Sequence, residues 1–180
     1  MKLTDRFGYD NPLYAPLRDP ARAVVEAYQN ANRFFDTTQE YVYIEHGLVH
    51  FAHIIHNHAH AFPQLFDLFG DILHERHLMI EYPATPELDW RAELIDIDSV
   101  FELIIRVLDS IQFALGEFHA VTDTPELKPM ALAVEELMTI NSATYTKFLE
   151  MWKMYEHIGS YTSFDSWCEE LADSDEGTTE

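Results

Sequence analysis

The chain has 180 residues, of which 47% are hydrophobic, and this is enough sequence for one domain with a full apolar core. The formal net charge of −21 argues against nucleic-acid binding as the main activity, because phosphates are bound by clustered Lys and Arg. A single cysteine excludes an internal disulfide and any metal site built from several thiolates.

The glycines are few and the prolines stand where helices would begin or end, which is typical of an all-helical protein. Residues 1–18 show little periodicity and are predicted to form an irregular arm. Asp19-Pro20 then supplies a helix start. Capping-box spacing between Thr37 and Glu40 predicts that the chain either bends or restarts there. The first helix then ends near residue 35, and the next runs over about 38–57.

Pro63 predicts the start of a third helix, which the Tyr82-Pro83 step should close near residue 80. A connector over 83–96 follows. After it we predict a helix over about 98–122 that is apolar nearly all round, a long helix over about 124–158 and a short one over 160–171. A single domain then spans 19–172, and residues 173–180 are predicted to form a disordered acidic tail.

These elements predict an all-α four-helix bundle with a long crossover, an extra N-terminal helix and a short C-terminal helix. The connector could reach roughly 45 Å at ~3.3 Å per residue, which exceeds the ~30 Å length of a twenty-residue helix. The apolar fourth helix would need cover from its own bundle and from a second subunit. No apolar run approaches the roughly 20 residues of a membrane span, so we expect a cytoplasmic protein without a membrane partner.

Six of the ten histidines lie within fifteen positions, and their spacing of three or four residues places most of them on one helix face. They are His46, His50, His53, His56, His58 and His60. A lone histidine is more often an ordinary surface or core residue, whereas a stripe of neutral imidazoles favours a bound metal ion. His58 and His60 are expected to be exposed to solvent, because they lie near a bend predicted at about residues 58–62.

Acids and histidines on the next predicted helix supply further candidate ligands. If the helices before and after residues 58–62 fold back as a hairpin, residues whose numbers sum to about 120–124 lie at the same height. The pairs brought together are then His50 with His74, His53 with Asp71, and Glu45 with Glu75. Mixed nitrogen and oxygen ligands suit iron, manganese or zinc better than calcium or magnesium.

The predicted site therefore combines two tiers of ligands, contributed by one chain or by two. The central ligands are His50, His53, Asp71, His74 and Glu75, and the outer or alternative ones are Glu45, His46, His56 and His77. Asp71, His74 and Glu75 are the residues assigned to catalysis. Each carboxylate offsets cationic charge, and each imidazole needs an acceptor for its second nitrogen.

Part of this pattern resembles the Dps-type mini-ferritins of the ferritin-like superfamily. That family carries a histidine fifteen residues before an Asp-x-x-x-Glu-Arg run, and here His56 stands fifteen residues before Asp71-x-x-x-Glu75-Arg76. The resemblance implies that Asp71 and Glu75 are iron-binding carboxylates and that His56 is a ligand, with the metal held between subunits. The family's other histidine would fall at Ile44, so that ligand is shifted or replaced.

The larger ferritins are a second comparison, in which a bundle holds two irons with glutamates and Glu-x-x-His motifs. No Glu-x-x-His occurs here, although Asp71-x-x-His74 has the same spacing. A crossover of the predicted kind would bring Asp109 and Glu135 or Glu136 near the height of Asp71. These acids are the weakest candidates, because acids on a helix usually face solvent.

By this resemblance and its ligand set, the chain is expected to be a homo-oligomeric non-haem iron protein that oxidises Fe(II) with O₂ or peroxide for iron storage or detoxification. The iron site could be dinuclear, with manganese or zinc as alternatives, and the acidic surface would attract Fe²⁺. One rival is a hemerythrin- or DinB-like helical metalloprotein, and another is a metal-free helical interaction protein. No DNA binding is expected, because three dispersed cations in the arm are offset by acids.

Overall fold

The computed structural model describes residues 8–84 and 89–176, with only the backbone of residues 173–176, and this part of the chain is all-helical. A 3₁₀ turn over Ala15–Leu17 precedes six α-helices. They are α1 (Arg18–His46), α2 (Val49–His74), α3 (Trp90–Glu93), α4 (Ile97–Thr122), α5 (Lys128–Ile158) and α6 (Tyr161–Glu176). The predicted all-α class is confirmed.

Helix α1 runs without interruption through the position where the sequence predicted a break. Thr37 donates its hydroxyl to the carbonyl of Arg33 one turn earlier, so it is an interior helix residue and not a cap. The helix ends instead at Gly47, whose φ of +66° lies in the left-handed region that favours glycine. The prediction of an extra N-terminal helix was wrong, because that segment is the first half of α1.

Helix α2 continues through Pro63, where the sequence predicted a hairpin bend and a new start. Proline has no N–H, so the carbonyl of Ala59 one turn earlier lacks its usual helical donor. The side-chain amide of Asn32, on α1, donates to this carbonyl over 3.0 Å. The hairpin at residues 58–62 was therefore wrong, because the neighbouring helix supplies the hydrogen bond that proline removes.

Helix α2 ends at His74 and does not continue to about residue 80. The chain turns through His77, which has a φ of +59°, and the N–H of Leu78 donates to the carbonyl of Leu73 over 3.0 Å. This is the pattern of a helix closed by one left-handed residue. The third predicted helix was thus too long at its end, and residues 75–84 belong to the connection towards α4.

The described parts of that connection contact opposite ends of α1. Glu81 accepts from Arg18 at the start of α1, with a shortest N···O distance of 2.7 Å. Further along the connection, Arg91 on α3 lies 3.9 Å from Glu45 near the end of α1. Helix α4 then begins at Asp96, whose carboxylate accepts from a backbone N–H in a capping box.

Ring contacts show that α2 and α4 run in the same direction. Phe51 stacks on Phe101 near the start of both helices, and Phe69 meets Phe118 edge-on near the end of both, with centroids 5.1 Å apart in each pair. Helix α1 also packs against α2 and α4, α4 packs against α5, and α6 lies against α2 and α5. One buried apolar core joins these helices.

The two ends of the chain extend beyond the described residues. Residues 8–14 form turns before the 3₁₀ turn, and residues 1–7, the first part of the predicted arm, lie outside the described residues. The backbone of residues 173–176 continues α6, where the sequence predicted the first part of a disordered tail. The rest of that tail, 177–180, is also outside the described residues.

Candidate functional site

Six histidines and aspartates share one side of α2, and four of them are ligands predicted from the sequence: His53, His56, Asp71 and His74. We call this set the α2 polar face, and it consists of His53, His56, His60, Asp67, Asp71 and His74. At about 100° of rotation per residue, the six positions fall within about 60° of the helix circumference. All are exposed except the half-buried His56. The face is thus open to a ligand or to another protein surface.

The two halves of this face are far apart within one chain. His56 and Asp71 are separated by fifteen residues of helix, which is roughly 22 Å at 1.5 Å per residue. The pair His50 and His74, which the hairpin would have brought together, is separated by roughly 36 Å on the same scale. A single chain therefore does not gather the predicted central ligands, and the described residues contain no group of three or more His, Cys, Asp and Glu arranged for a metal.

Two histidines of the face do meet. The Nε2 atoms of His56 and His60, one turn apart, lie 3.0 Å from each other, so one ring donates a hydrogen bond and the other accepts it. The Nδ1 atom of His56 is buried without a hydrogen-bond partner among the residues described. Because a buried N–H without an acceptor is costly, this favours the tautomer in which the Nε2 of His56 carries the proton.

A cleft of about 290 Å³ borders the same histidines on the side of α1. Gln39 and Tyr43 of α1 face His50, His53 and His56 of α2 across it. The cleft offers amide, phenol and imidazole groups within a small volume, so it can accept a hydrated ion or a small polar molecule. Sequence reasoning missed Gln39 and Tyr43, because only the packing of α1 against α2 reveals that they belong to this surface.

The start of α2 is held by α6. The Oδ1 atom of Asp165 accepts from the backbone N–H groups of both His50 and Phe51, each over 3.0 Å. An aspartate from another helix thus satisfies two of the free donors that every helix start presents. The side chain of His50 lies 3.7 Å from Glu169, one turn further along α6. His50 is therefore engaged with α6 as well as lining the cleft.

The outer ligands predicted from α1 are not close to the α2 polar face. The ring of His46 lies between the rings of Tyr41 and Tyr161, at centroid distances of 5.2 and 5.7 Å. Its Nε2 atom is buried and has no hydrogen-bond partner among the described residues. Glu45 points to the connection, where it lies 3.9 Å from Arg91. Glu45 thus contacts α3 and His46 contacts the first turn of α6, and neither residue joins the metal site that the hairpin predicted.

The remaining predicted ligands are on the surface. Glu75 and His77 are exposed and follow the last turn of α2. The acids suggested by the larger ferritins, Asp109, Glu135 and Glu136, are also exposed. In the described part of the chain, the only buried polar side chains are those of Thr38, Thr122 and Asn141. The described interior therefore offers no carboxylate or imidazole for a metal site of the kind that the larger ferritins build.

His58 was predicted to be solvated, and the structure shows otherwise. Its ring lies 5.0 Å from that of Phe148 on α5 and 6.5 Å from that of Phe35 on α1. Cys168 on α6 is buried, and this burial, together with the nearby Asp165, raises the pKa of its thiol. A thiol with a raised pKa is a poor nucleophile, and this argues against cysteine catalysis.

Comparison of the chain with protein-family models, with curated proteins and with solved structures finds no match. Among the described residues, no helix is both long and apolar enough to cross a membrane.

Proposed function

We propose that this chain is a ferritin-like iron-binding protein whose metal site forms between two copies, along the α2 polar face. The proposal rests on the spacing of the six residues of this face along α2. If two α2 helices pair antiparallel about a twofold axis near Pro63 and Gln64, every histidine of the first half of the face lies opposite an acid or histidine of the second half. The pairs are His53 with His74, His56 with Asp71 and His60 with Asp67.

The geometry of α2 supports this pairing. Helices that pack against each other have axes about 8–10 Å apart, which allows side chains on facing turns to share a metal ion. The face is exposed, and it lies on a helix that is continuous through Pro63. The register is also the one that the mini-ferritin resemblance implies, because it sets His56 of one copy against Asp71 of the other.

The packing of the long helices supports a ferritin-like fold within each copy. We propose that α1, α2, α4 and α5 form a four-helix bundle, and that the described residues 75–84 and 89–96 belong to a crossover between the end of α2 and the start of α4. The supporting contacts are Arg18 with Glu81 at one end of α1 and Arg91 with Glu45 near the other. The parallel course of α2 and α4 supports this proposal, because a short loop would make the two helices antiparallel.

The chemistry of the paired face suits Fe(II) as substrate. Asp71 and Asp67 would offset the charge of the bound ion, and His56 and His53 would supply neutral nitrogen donors. A site with both donor types accommodates ferrous and ferric ions, so that O₂ or peroxide could accept the electrons. The net charge of −21 would concentrate Fe²⁺ near the surface. A hemerythrin-like site would need histidines in the bundle interior, and the buried residues described provide none.

The proposal is tested by aerobic titration of the purified protein with Fe(II), following ferric absorbance and bound iron, together with the mass of the assembly in solution. We expect a dimer or a larger assembly and saturable iron binding. His56→Ala and Asp71→Ala should each reduce binding at least ten-fold, because loss of one ligand leaves the other copy's donor unpaired. The matched controls are His157→Ala on α5 and Glu102→Ala on α4, which are exposed, lie outside the α2 polar face and are not predicted ligands.

Two results would refute the proposal. One is iron binding by His56→Ala and Asp71→Ala that equals that of the two controls. The other is a dimer that forms and binds no iron, which would indicate that the histidines and aspartates join two copies through ion pairs. That second result would favour the metal-free interaction protein.

A further inference from the structure

A cleft of about 400 Å³ lies between α5 and α6. Its apolar lining consists of Met151, Met154, Trp167 and Leu171. Small-molecule sites typically have volumes of roughly 300–1,000 Å³ and are lined mainly by apolar and aromatic groups with a few polar ones. Methionine side chains are flexible and adapt to ligands of irregular shape. The cleft therefore has the size and the lining of a small-molecule site.

The residues around this cleft include more basic than acidic side chains, in contrast to the protein as a whole. Lys153 and His157 lie one turn apart on α5 at the rim, and Lys147 precedes Lys153 by six residues on the same helix. Two of the chain's four lysines thus border one cleft, although acids outnumber Lys and Arg almost three to one in the whole sequence. One carboxylate, Glu150, also borders it, so cationic groups still predominate.

We infer that this cleft binds a small amphipathic carboxylic acid, with an unbranched or aromatic apolar body of about ten carbon atoms. The carboxylate would lie at Lys153 and His157, where an ammonium and an imidazole can both donate hydrogen bonds. The apolar body would extend over Met154 and the indole of Trp167. The inference is independent of iron binding, because none of these residues belongs to the α2 polar face.

The direct test is calorimetric titration of the full chain with decanoate at ~0.15 M salt, where long-range attraction is screened. We expect one site per chain with a Kd on the order of 100 µM, as is usual for a ligand of this size. Decanol and decylammonium serve as the neutral and the cationic probes of equal length. Both should bind at least three-fold more weakly than decanoate, because the rim prefers a negative head group.

Variants separate the charge of the rim from the apolar lining. Lys153→Met keeps the length of the side chain and removes its charge, so decanoate should bind roughly two- to five-fold more weakly and decanol equally well. Met154→Glu places a carboxylate in the lining and should weaken decanoate at least ten-fold, with helicity checked by circular dichroism. Lys128→Met, in the first turn of α5, is the control that should change neither. Equal affinities for all three probes, or the absence of decanoate binding, would overturn the inference.

Discussion

Replacement of Asn32 by alanine tests the finding that another helix stabilises α2 at its proline. In the folded protein, the amide of Asn32 donates to the carbonyl of Ala59 over 3.0 Å, and Ala59 is fully buried. Asn32→Ala leaves that carbonyl without its donor, and a buried unsatisfied carbonyl costs about 1–3 kcal/mol. Because Asn32 is only half-buried, water can reach part of the gap, so we expect a loss of about 1–1.5 kcal/mol.

The loss should depend on Pro63, and this dependence distinguishes the hydrogen bond from general packing. Pro63→Ala restores a backbone N–H that can donate to the carbonyl of Ala59, and it replaces the least favourable helix residue, so it should stabilise the protein by about 1–2 kcal/mol. In that background, Asn32→Ala should cost only about 0.5 kcal/mol. The coupling energy between the two positions is then about 0.5–1 kcal/mol.

The measurement is urea unfolding of the parent protein, the two single variants and the double variant, with the free energy of unfolding compared across the cycle. Thermal unfolding should show the same order, at about 2–4 °C for each kcal/mol in a chain of this size. If Asn32→Ala costs the same with proline and with alanine at position 63, the hydrogen bond does not compensate for the proline and the reasoning is refuted.

Three further predictions concern the rest of the fold. Asp165→Ala should lower the free energy of unfolding, measured in urea, by about 1–2 kcal/mol, because the N–H groups of His50 and Phe51 lose the acceptor of their hydrogen bonds. Asp165→Asn retains an acceptor oxygen and should cost less than half as much. Burial raises the pKa of the Cys168 thiol, so a thiol reagent at pH 8 should react with Cys168 only as the protein unfolds, and prompt reaction with the folded protein would contradict this. Burial, and secondarily the charge of Glu81, raises the pKa of Tyr9 to about 12 from an ordinary value of 10, so its contribution to stability is complete below pH 10 and is lost as pH rises towards 12. Spectrophotometric titration of the parent protein beside Tyr9→Phe checks this value, and a Tyr9 that ionises near pH 10 would show that its environment is not the one described.

The sequence predicted the long helices best where local signals agree with packing. The predicted end of the last long helix near residue 158 agrees with α5, which ends at Ile158, and the apolar run over 98–122 corresponds closely to α4. The errors lie where a local signal has two interpretations. Thr37 could cap a new helix or donate back along α1, and only the packing of α1 selects the second.

Pro63 misled for a related reason. A proline inside an apolar pattern usually begins or breaks a helix, and the residue that prevents the break, Asn32, lies on a different helix and is distant in sequence. The prediction that His58 is solvated was wrong for the same reason. The rings that pack against it, those of Phe35 and Phe148, come from other helices, α1 and α5. Helical spacing alone could predict that the histidines and aspartates lie on one face. It could not predict that this face lies on one continuous helix, α2, instead of two helices that fold back on each other.

The central claim is that a metal site takes its histidine from one copy and its aspartate from another, and mixing two defective variants tests it most directly. His56→Ala and Asp71→Ala should each bind little iron alone. When the two are unfolded together, refolded as an equal mixture and titrated with Fe(II), half of the dimers pair one of each, and in those one of the two sites has both ligands. The mixture should therefore recover about one quarter of the parent protein's binding capacity. No recovery above the two separate variants would contradict a shared site between copies.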